Sequence, residues 1–318
     1  MPKMNTPAMI AFQKKQSERI RLGGKKQEIT LGDGSEIIST SLWRESWRRL
    51  VRRPTAVLGM VMFLTLVFLA LFPGVVAPEG YDNQQFGRIF NPPNMENIMG
   101  TDNLGRDIFS RVVYGARYSM GVGFFAVVLS VLAGGILGSI AAFYGMLSDS
   151  IIMRFLDILL SIPSILLAIA ITSVLGANLV NLTIAISISS FPHYARIVRA
   201  SVLSIKEQEF VEAARAIGAS DIRIIFRHIL PNSMAPIIVQ ATVGLGGAIL
   251  SVASLSFIGL GIQPPLPEWG TMLSSAREHL RQCWWLAVFP GLFIMMAIFS
   301  VNLFGDGLRD ALDPRLKN

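Results

Sequence analysis

Cysteine is almost missing from this chain: Cys283 is the only one among 318 residues, so an intrachain disulfide is excluded. Histidine is nearly as scarce. His193, His228 and His279 stand far apart in sequence, without the spacing of a zinc protease or of an intramembrane His pair. No Gly-x-x-x-x-Gly-Lys-[Ser/Thr] run occurs. Gly23-Gly24-Lys25-Lys26-Gln27 has neither its spacing nor its hydroxyl residue, so ATP hydrolysis by this chain is not expected. A Gly-x-Ser-x-Gly elbow at a strand end is also lacking, and no catalysis is expected of the chain alone. Charge is the last scarcity. Only 15% of residues are charged against 52% hydrophobic, which is too apolar for an ordinary soluble protein.

What the chain has in abundance is long apolar runs. Six of them, at 56–72, 121–144, 155–175, 179–197, 235–260 and 285–304, fit the ~20 residues that cross a bilayer core. Continuous helices are expected for them, because backbone polar groups in lipid must be paired within the segment. They are nearly free of ionisable residues; Asp149, Arg154 and Asp157 gather at the inner end of the third and His193 toward that of the fourth. Ion-coupled carriers place charged groups at mid-membrane, so the energy source is expected elsewhere. No inverted repeat is evident.

Of the 28 Lys and Arg, all but Arg88, Arg106, Arg111, Arg117, Arg277 and Arg281 fall on one side when the N-terminus is placed in the cytoplasm. Both termini are therefore expected inside. The net charge of +7 is this bias and not a nucleic-acid surface. The first run starts too late for a secretory leader and is expected to be a retained anchor.

Residues 1–41 are polar and without sustained periodicity, which predicts a flexible cytoplasmic tail. Trp43, Trp47 and Leu50 then recur at helical spacing among Arg44, Arg48, Arg49 and Arg52, which predicts an amphipathic interfacial helix over 42–55. The segment 73–118 is dense in Pro, Asn and Gly up to Asp107, and predicts a shaped loop turning helical at Ile108. Its Thr101-Asp102 and Gly105-Arg106-Asp107 are read as capping and salt-bridging residues, since no His or third carboxylate converges on them. Gly134, Gly135, Gly138, Ser187, Ser189, Gly244, Gly246 and Gly247 are read as helix-packing positions. Pro163 and Pro192, inside apolar runs, are expected to kink them. Cys283, beside Trp284 and Trp285, is read as a packing residue.

One polar stretch interrupts the apolar pattern. From Lys206 to Ile217 the residues favour helix, and Gly218 can stop it in a left-handed cap. Ser220 or Asp221 can cap a second helix with Ile222, Ile225, Phe226 and Ile229 as its apolar stripe. Arg223 and Arg227 share another face, and Pro231 is expected to end the unit. Such a stripe needs a partner, either lipid headgroups or protein. The order Glu212-Ala213-Ala214, Gly218, Leu230-Pro231 resembles the EAA loop with which ABC importer permeases grip their ATPase. His228 stands where the broad pattern has an apolar residue.

The resemblance widens from about residue 43 to the end. Trp47-Arg48-Arg49 before Pro54 is similar to the oligopeptide, dipeptide and nickel permease family. So are Gly100-Thr101-Asp102 through Gly105-Arg106-Asp107, Gly259 through Pro264-Pro265 with Trp269-Gly270, and Gly305 through Pro314. The chain most resembles the C-type permease subunit of a peptide importer. The resemblance implies an all-α integral membrane protein of the type I ABC importer permease fold with six transmembrane helices. It also implies a core over 119–307 that includes the coupling loop 207–231, preceded by a first helix and loop over 56–118 and followed by a tail at 308–318.

It further implies ATPase coupling through Glu212, Ala213, Ala214, Gly218, Arg223, Phe226, Arg227, Leu230 and Pro231. An extracytoplasmic loop motif would comprise Gly100, Thr101, Asp102, Gly105, Arg106 and Asp107. An outer gate or docking loop would comprise Gly259, Gly261, Pro264, Pro265, Trp269 and Gly270. The implied partners are a homologous permease chain, two ATPase subunits that carry ATP and Mg, and an extracytoplasmic binding protein. The implied location is a bacterial or archaeal cytoplasmic membrane, with di- or oligopeptides as cargo. Nickel chelates or glutathione-like compounds are the alternative cargo. An ATP-independent channel or carrier, or a scaffold that only recruits a soluble partner, are the alternatives of another class.

Overall fold

The computed structural model describes residues 28–30, 36–38 and 42–312. A small antiparallel hairpin pairs β1 (Glu28–Thr30) with β2 (Glu36–Ile38), and it belongs to a unit ending at Arg48. The reading of 1–41 as a flexible tail lies, apart from those two strands, outside the described residues, as does the end of the 308–318 tail.

The second unit, from Arg49 onward, is helical. Helix α1 (Leu42–Val51) leads to α2 (Pro54–Leu71), which opens on a proline where a missing N–H costs nothing. A short α3 (Pro73–Val76) and a loop reach α4 (Ile108–Tyr144), 37 residues capped by the Asp107 carboxylate on the Ser110 N–H. The boundary drawn between 118 and 119 therefore falls inside one continuous helix. Helix α4 ends at Gly145, at φ +64°.

Helices α5 (Met146–Leu160) and α6 (Ser164–Leu175) meet at 85°. The continuous helix expected over 155–175 does not form. Pro163 has no N–H to donate, and its ring clashes with the carbonyl four residues back, so the helix stops and restarts in a new direction. Pro192, in contrast, lies within an unbroken α7 (Leu179–Lys206). The chain continues with α8 (Glu209–Ala216), α9 (Asp221–Phe257), α10 (Trp269–Ala276) and α11 (Trp285–Leu312). Four helices (α2, α4, α9 and α11) are long and apolar enough to cross a membrane, and α5 with α6 makes five if the bent pair is one span. Helix α7 has the length but not the composition, with Asn181, His193, Arg196 and Arg199 along it.

Small residues set the packing. At Gly138 a Cβ would stand 2.4 Å from the Ala195 carbonyl, and at Gly134 2.7 Å from the Ala195 nitrogen, so α4 and α7 touch backbone to backbone. Ser187 and Ser130 hydroxyls tie the same pair, donating to Ala126 O at 3.2 Å and Ser187 O at 3.1 Å. Helix α2 lies against α11, where Gly59 meets Leu303 and Gly307 meets Ala56. Gly135 and Gly247 face open space instead of a helix.

Contacts at the helix ends sort the bundle into two ends. The Arg117 guanidinium donates to Ala70 O and Leu71 O, both at 3.0 Å, joining the end of α2 to the start of α4. The Trp269 indole donates to Val112 O at 2.9 Å, which brings the segment after α9 to the same end. At the other end the Lys206 ammonium donates to Ala142 O at 2.9 Å, so α4 and α7 finish side by side. Arg53 and Asp310 pair where α2 begins and α11 finishes.

Candidate functional site

The polar stretch after α7 folds as a bracket. Its root is the Lys206 ammonium, which satisfies carbonyls left open at the C-terminus of α4. Helix α8 ends in a Schellman turn: the Gly218 N–H donates to Arg215 O and the Ala219 N–H to Ala214 O, at 3.0 and 3.1 Å. Gly218 sits at φ +79°, the left-handed conformation that the sequence predicted for it. Ser220 occupies the N-cap position of α9, without a side-chain capping bond.

Two expectations for the second half are corrected. Pro231 does not end the unit; α9 runs from Asp221 to Phe257 without a break. A π turn over Ile225–Ile229 precedes the proline, and the Leu230 N–H reaches back five residues to Ile225 O. That wider turn shifts the hydrogen-bond register just before Pro231, where an α-helix would force its ring against a carbonyl. The predicted stripe also splits. Ile225 and Ile229 are buried together with Ile224, whereas Ile222 and Phe226 are 69% and 66% exposed. At ~100° per residue, Ile222 and Phe226 fall on one side of the stripe and Ile225 and Ile229 on the other.

The buried face builds a second hydrophobic core, separate from the main one. Val211, Ala214, Ile224, Ile225 and Ile229 pack on Ala142 and Phe143 from α4 and on Val198 and Val202 from α7. Arg215 lies over the Phe143 ring, 5.7 Å from its centroid. The outer face carries exposed Glu212, Ala213, Arg223, Arg227 and Pro231. Ile217, at the end of α8, is 85% exposed as well. Of the two alanines, Ala214 is buried in this chain's own core and only Ala213 faces out. Leu230 and His228 are half-buried.

Behind the bracket, Arg199 makes a bidentate pair with Asp149 at 2.5 and 2.6 Å, and Arg196 meets Asp157 at 2.5 Å. These pairs fasten α5 to α7. The sequence showed the acidic residues without their partners; a pairing across 39 or 50 positions leaves no local signal.

At the opposite end the loop motif is a tied turn. Asp102 accepts from the Leu104 and Arg106 N–H groups and from Arg106 Nε at 2.7 Å, with Arg111 Nε 3.6 Å away. Asp107 caps α4 and accepts from Asn97 Nδ2 at 3.0 Å. Thr101 donates to Arg88 O, and its carbonyl accepts from the Trp285 indole at 3.2 Å. At Gly105 (φ +69°) a Cβ would stand 1.9 Å from Gln85 O, so no side chain fits. Gly100 is also left-handed, at φ +76°. Among the described residues no group of three or more His, Cys, Asp or Glu side chains is placed to hold a metal ion.

The segment from Gly259 to Gly270 divides. Gly259, Pro264 and Pro265 are exposed, but Gly261, Trp269 and Gly270 are buried and hold α10 in place. On this chain Gly261, Trp269 and Gly270 present no surface. The anchor is Glu268, which the sequence reading missed. Its carboxylate accepts from Ser119 Oγ (3.0 Å), Gly270 N (2.9 Å), Thr271 N (2.8 Å) and Thr271 Oγ1 (3.2 Å). Burial pushes the Glu268 carboxyl up from the ordinary carboxylate value, against the N–H donors of Gly270 and Thr271. Cys283 is buried, as a packing residue would be.

The sequence is similar to those of known proteins. The profile described as "Binding-protein-dependent transport system inner membrane component" matches residues 134–318. That described as "N-terminal TM domain of oligopeptide transport permease C" matches 41–93. The "Dipeptide transport system permease protein DppC" of Alkalihalophilus pseudofirmus is 48% identical over 280 residues, 88% of this chain and 92% of that protein. The "Di/tripeptide transport system permease protein DppC" of Pseudomonas aeruginosa is 45% identical, covering 89% and 95%. The "Glutathione transport system permease protein GsiD" of Pectobacterium atrosepticum is 43% identical, covering 87% and 92%. Among solved structures, a chain of the inward-facing MetNI methionine ABC transporter superposes with a TM-score of 0.54 at 18% identity, covering 64% of this chain and 96% of that one.

Proposed function

This chain belongs to the family of binding-protein-dependent transport system inner membrane components, and from that premise we propose that it is a permease subunit of an ATP-driven importer of di- or oligopeptides. The observation that carries the reading is the exposed apolar set Ile217, Ile222 and Phe226 on a bracket whose other face is locked into the core. A rigid polar bracket that presents three large apolar side chains is built to seat in a protein cleft, where burying each would contribute about 1.5–3 kcal/mol. Glu212, Arg223 and Arg227 surround that set with charge that fixes orientation. The partners are two ATPase subunits on this face, a homologous permease chain and a binding protein at the far end. ATP hydrolysis resides on the ATPase subunits.

The helix ends support six crossings. Helices α4 and α7 finish side by side at Lys206, so the chain between them must return across the membrane once. Helices α5 and α6 are the only elements available. At 1.5 Å per residue the 12 residues of α6 reach only about 18 Å, short of a ~30 Å core. The two helices together therefore form one broken crossing, tolerated where its freed backbone is covered by protein. With α2, α4, α7, α9 and α11 this makes six, and both termini lie with the bracket in the cytoplasm.

The test is purification of the chain from its own cell in mild detergent. Co-retention of ATPase subunits that is lost with Ile222→Asp or Phe226→Asp supports the reading; retention unaffected by both rejects it. The glutathione-like alternative is favoured by the GsiD similarity. Competition of ATP-dependent uptake by glutathione against a dipeptide separates the two.

A further inference from the structure

Helices α5 and α7 each carry two exposed strips of different character. On α7 one strip is apolar, with Val180, Ile184 and Ile188. At ~100° per residue His193, Arg196 and Ala200 are exposed on the opposite side. On α5 the apolar strip is Leu147, Ile151 and Ile158, and Arg154, Asp157 and Ser161 are exposed on a neighbouring one. The apolar strips suit lipid. The polar ones do not, because ionisable side chains in spanning segments turn to a water-filled cavity or to a partner.

An ion pair joins the two polar strips. Arg196 on α7 meets Asp157 on α5 at 2.5 Å, and both side chains stay more than half exposed, at 53% and 56%. A pair so exposed adds little to stability, and the better buried Arg199–Asp149 pair already joins the same helices. Helix α9 borders this surface through Gln240, whose Nε2 is 3.4 Å from the His193 Nε2. The break between α5 and α6 borders it too. Residues 161–164 are exposed on this chain, and backbone freed at such a break needs water or another chain beside it. Arg154 forms no ion pair among the described residues. With His193 neutral, Arg154, Asp157 and Arg196 leave one positive charge on a surface bounded by three helices.

We propose that these polar strips line the translocation path and that Arg154, Asp157 and Arg196 set its charge selectivity. Asp157 offsets Arg196, so cargo of either sign passes. An unopposed charge would favour cargo of the opposite sign and slow cargo of its own. The proposal rests on the importer reading above and adds to it the residues that cargo meets.

The experiment uses the complex retained with this chain, reconstituted in liposomes with its binding protein. The probes are radiolabelled dialanine (neutral), alanyl-glutamate (net negative) and alanyl-lysine (net positive). Asp157→Asn should raise the ratio of alanyl-glutamate to alanyl-lysine uptake about fivefold, the effect of one unit charge met at ~4 Å in water. Arg154→Gln and Arg196→Gln should each lower it by a similar factor, with dialanine uptake little changed. Each ratio is taken against the unaltered complex with the same binding protein, so that protein's own preference cancels. Asp157→Asn combined with Arg196→Gln removes the pair but keeps the net charge, and should return the unaltered ratio. Arg154→Gln leaves the pair intact, so its ratio is readable even where the pair variants fail to assemble. A ratio unchanged in Arg154→Gln and in every pair variant that assembles overturns the proposal, as does a shift in the same direction by Asp157→Asn and Arg196→Gln. Absence of ATP-dependent uptake of all three peptides by the unaltered complex overturns the importer reading itself.

Discussion

Phe226 and Ile224 sit two residues apart and have opposite fates. Ile224 is fully buried in the second core, whereas Phe226 is 66% exposed. Phe226→Ala should weaken ATPase binding by about 2 kcal/mol, roughly thirtyfold, without lowering the thermal stability of the isolated chain. Ile224→Ala should do the reverse, costing about 2–5 kcal/mol of stability. Unfolding in detergent and titration with the ATPase check both. Arg223→Ala, a charge at the rim, should change binding less than Phe226→Ala and mainly at low salt.

Glu268 makes a pH prediction at the same scale. Burial raises its folded pKa above the ordinary carboxylate value. The folded state therefore holds the proton to higher pH than the unfolded state, and stability falls as pH rises from about 4.5 through the folded value. Thermal unfolding of Glu268→Gln should lose this slope; an undiminished slope would assign it to another group. Its Gly270 and Thr271 partners are local, but the Ser119 hydroxyl that reaches it lies 149 positions away and leaves no local signal.

At the scale of elements, the bracket depends on Gly218. Open space surrounds it, so Gly218→Ala meets only the strain of φ +79°, about 1–2 kcal/mol, and should keep most substrate-dependent ATP turnover. Gly218→Pro cannot adopt that φ and deletes the N–H bonded to Arg215 O, and turnover should be lost. The left-handed turn was legible because only glycine enters that region freely. The continuation of the helix through Pro231 was not, because it rests on a π turn that no residue type announces. Pro163 and Pro192 make the same point. One ends its helix and the other does not, and the residue type does not distinguish them.

For the whole molecule, the prediction concerns sidedness. In a Cys283→Ala background, an impermeant maleimide on intact cells should label Gln263→Cys and not Ile217→Cys. Both positions are exposed on this chain, so a reversed or equal pattern would refute the six-crossing arrangement. The α4–α7 contact that organises the bundle is itself testable. Gly138→Val, with a Cβ 2.4 Å from a backbone carbonyl, should lower stability by several kcal/mol, read as lost thermal stability in detergent.

The sequence by itself determined the solvent and the grammar of this protein. Apolar runs of membrane length, a one-sided distribution of Lys and Arg, and a polar bracket with glycine at its turn are local properties, set by transfer free energy and backbone sterics. Only the tertiary structure decided which half of an apolar stripe is exposed, which prolines break a helix, and which of the loop residues are buried. It also brought His193 to Gln240, Arg199 to Asp149 and Ser119 to Glu268. Those outcomes depend on what lies opposite each residue. That neighbour comes from another helix, chosen by packing rather than by position along the chain.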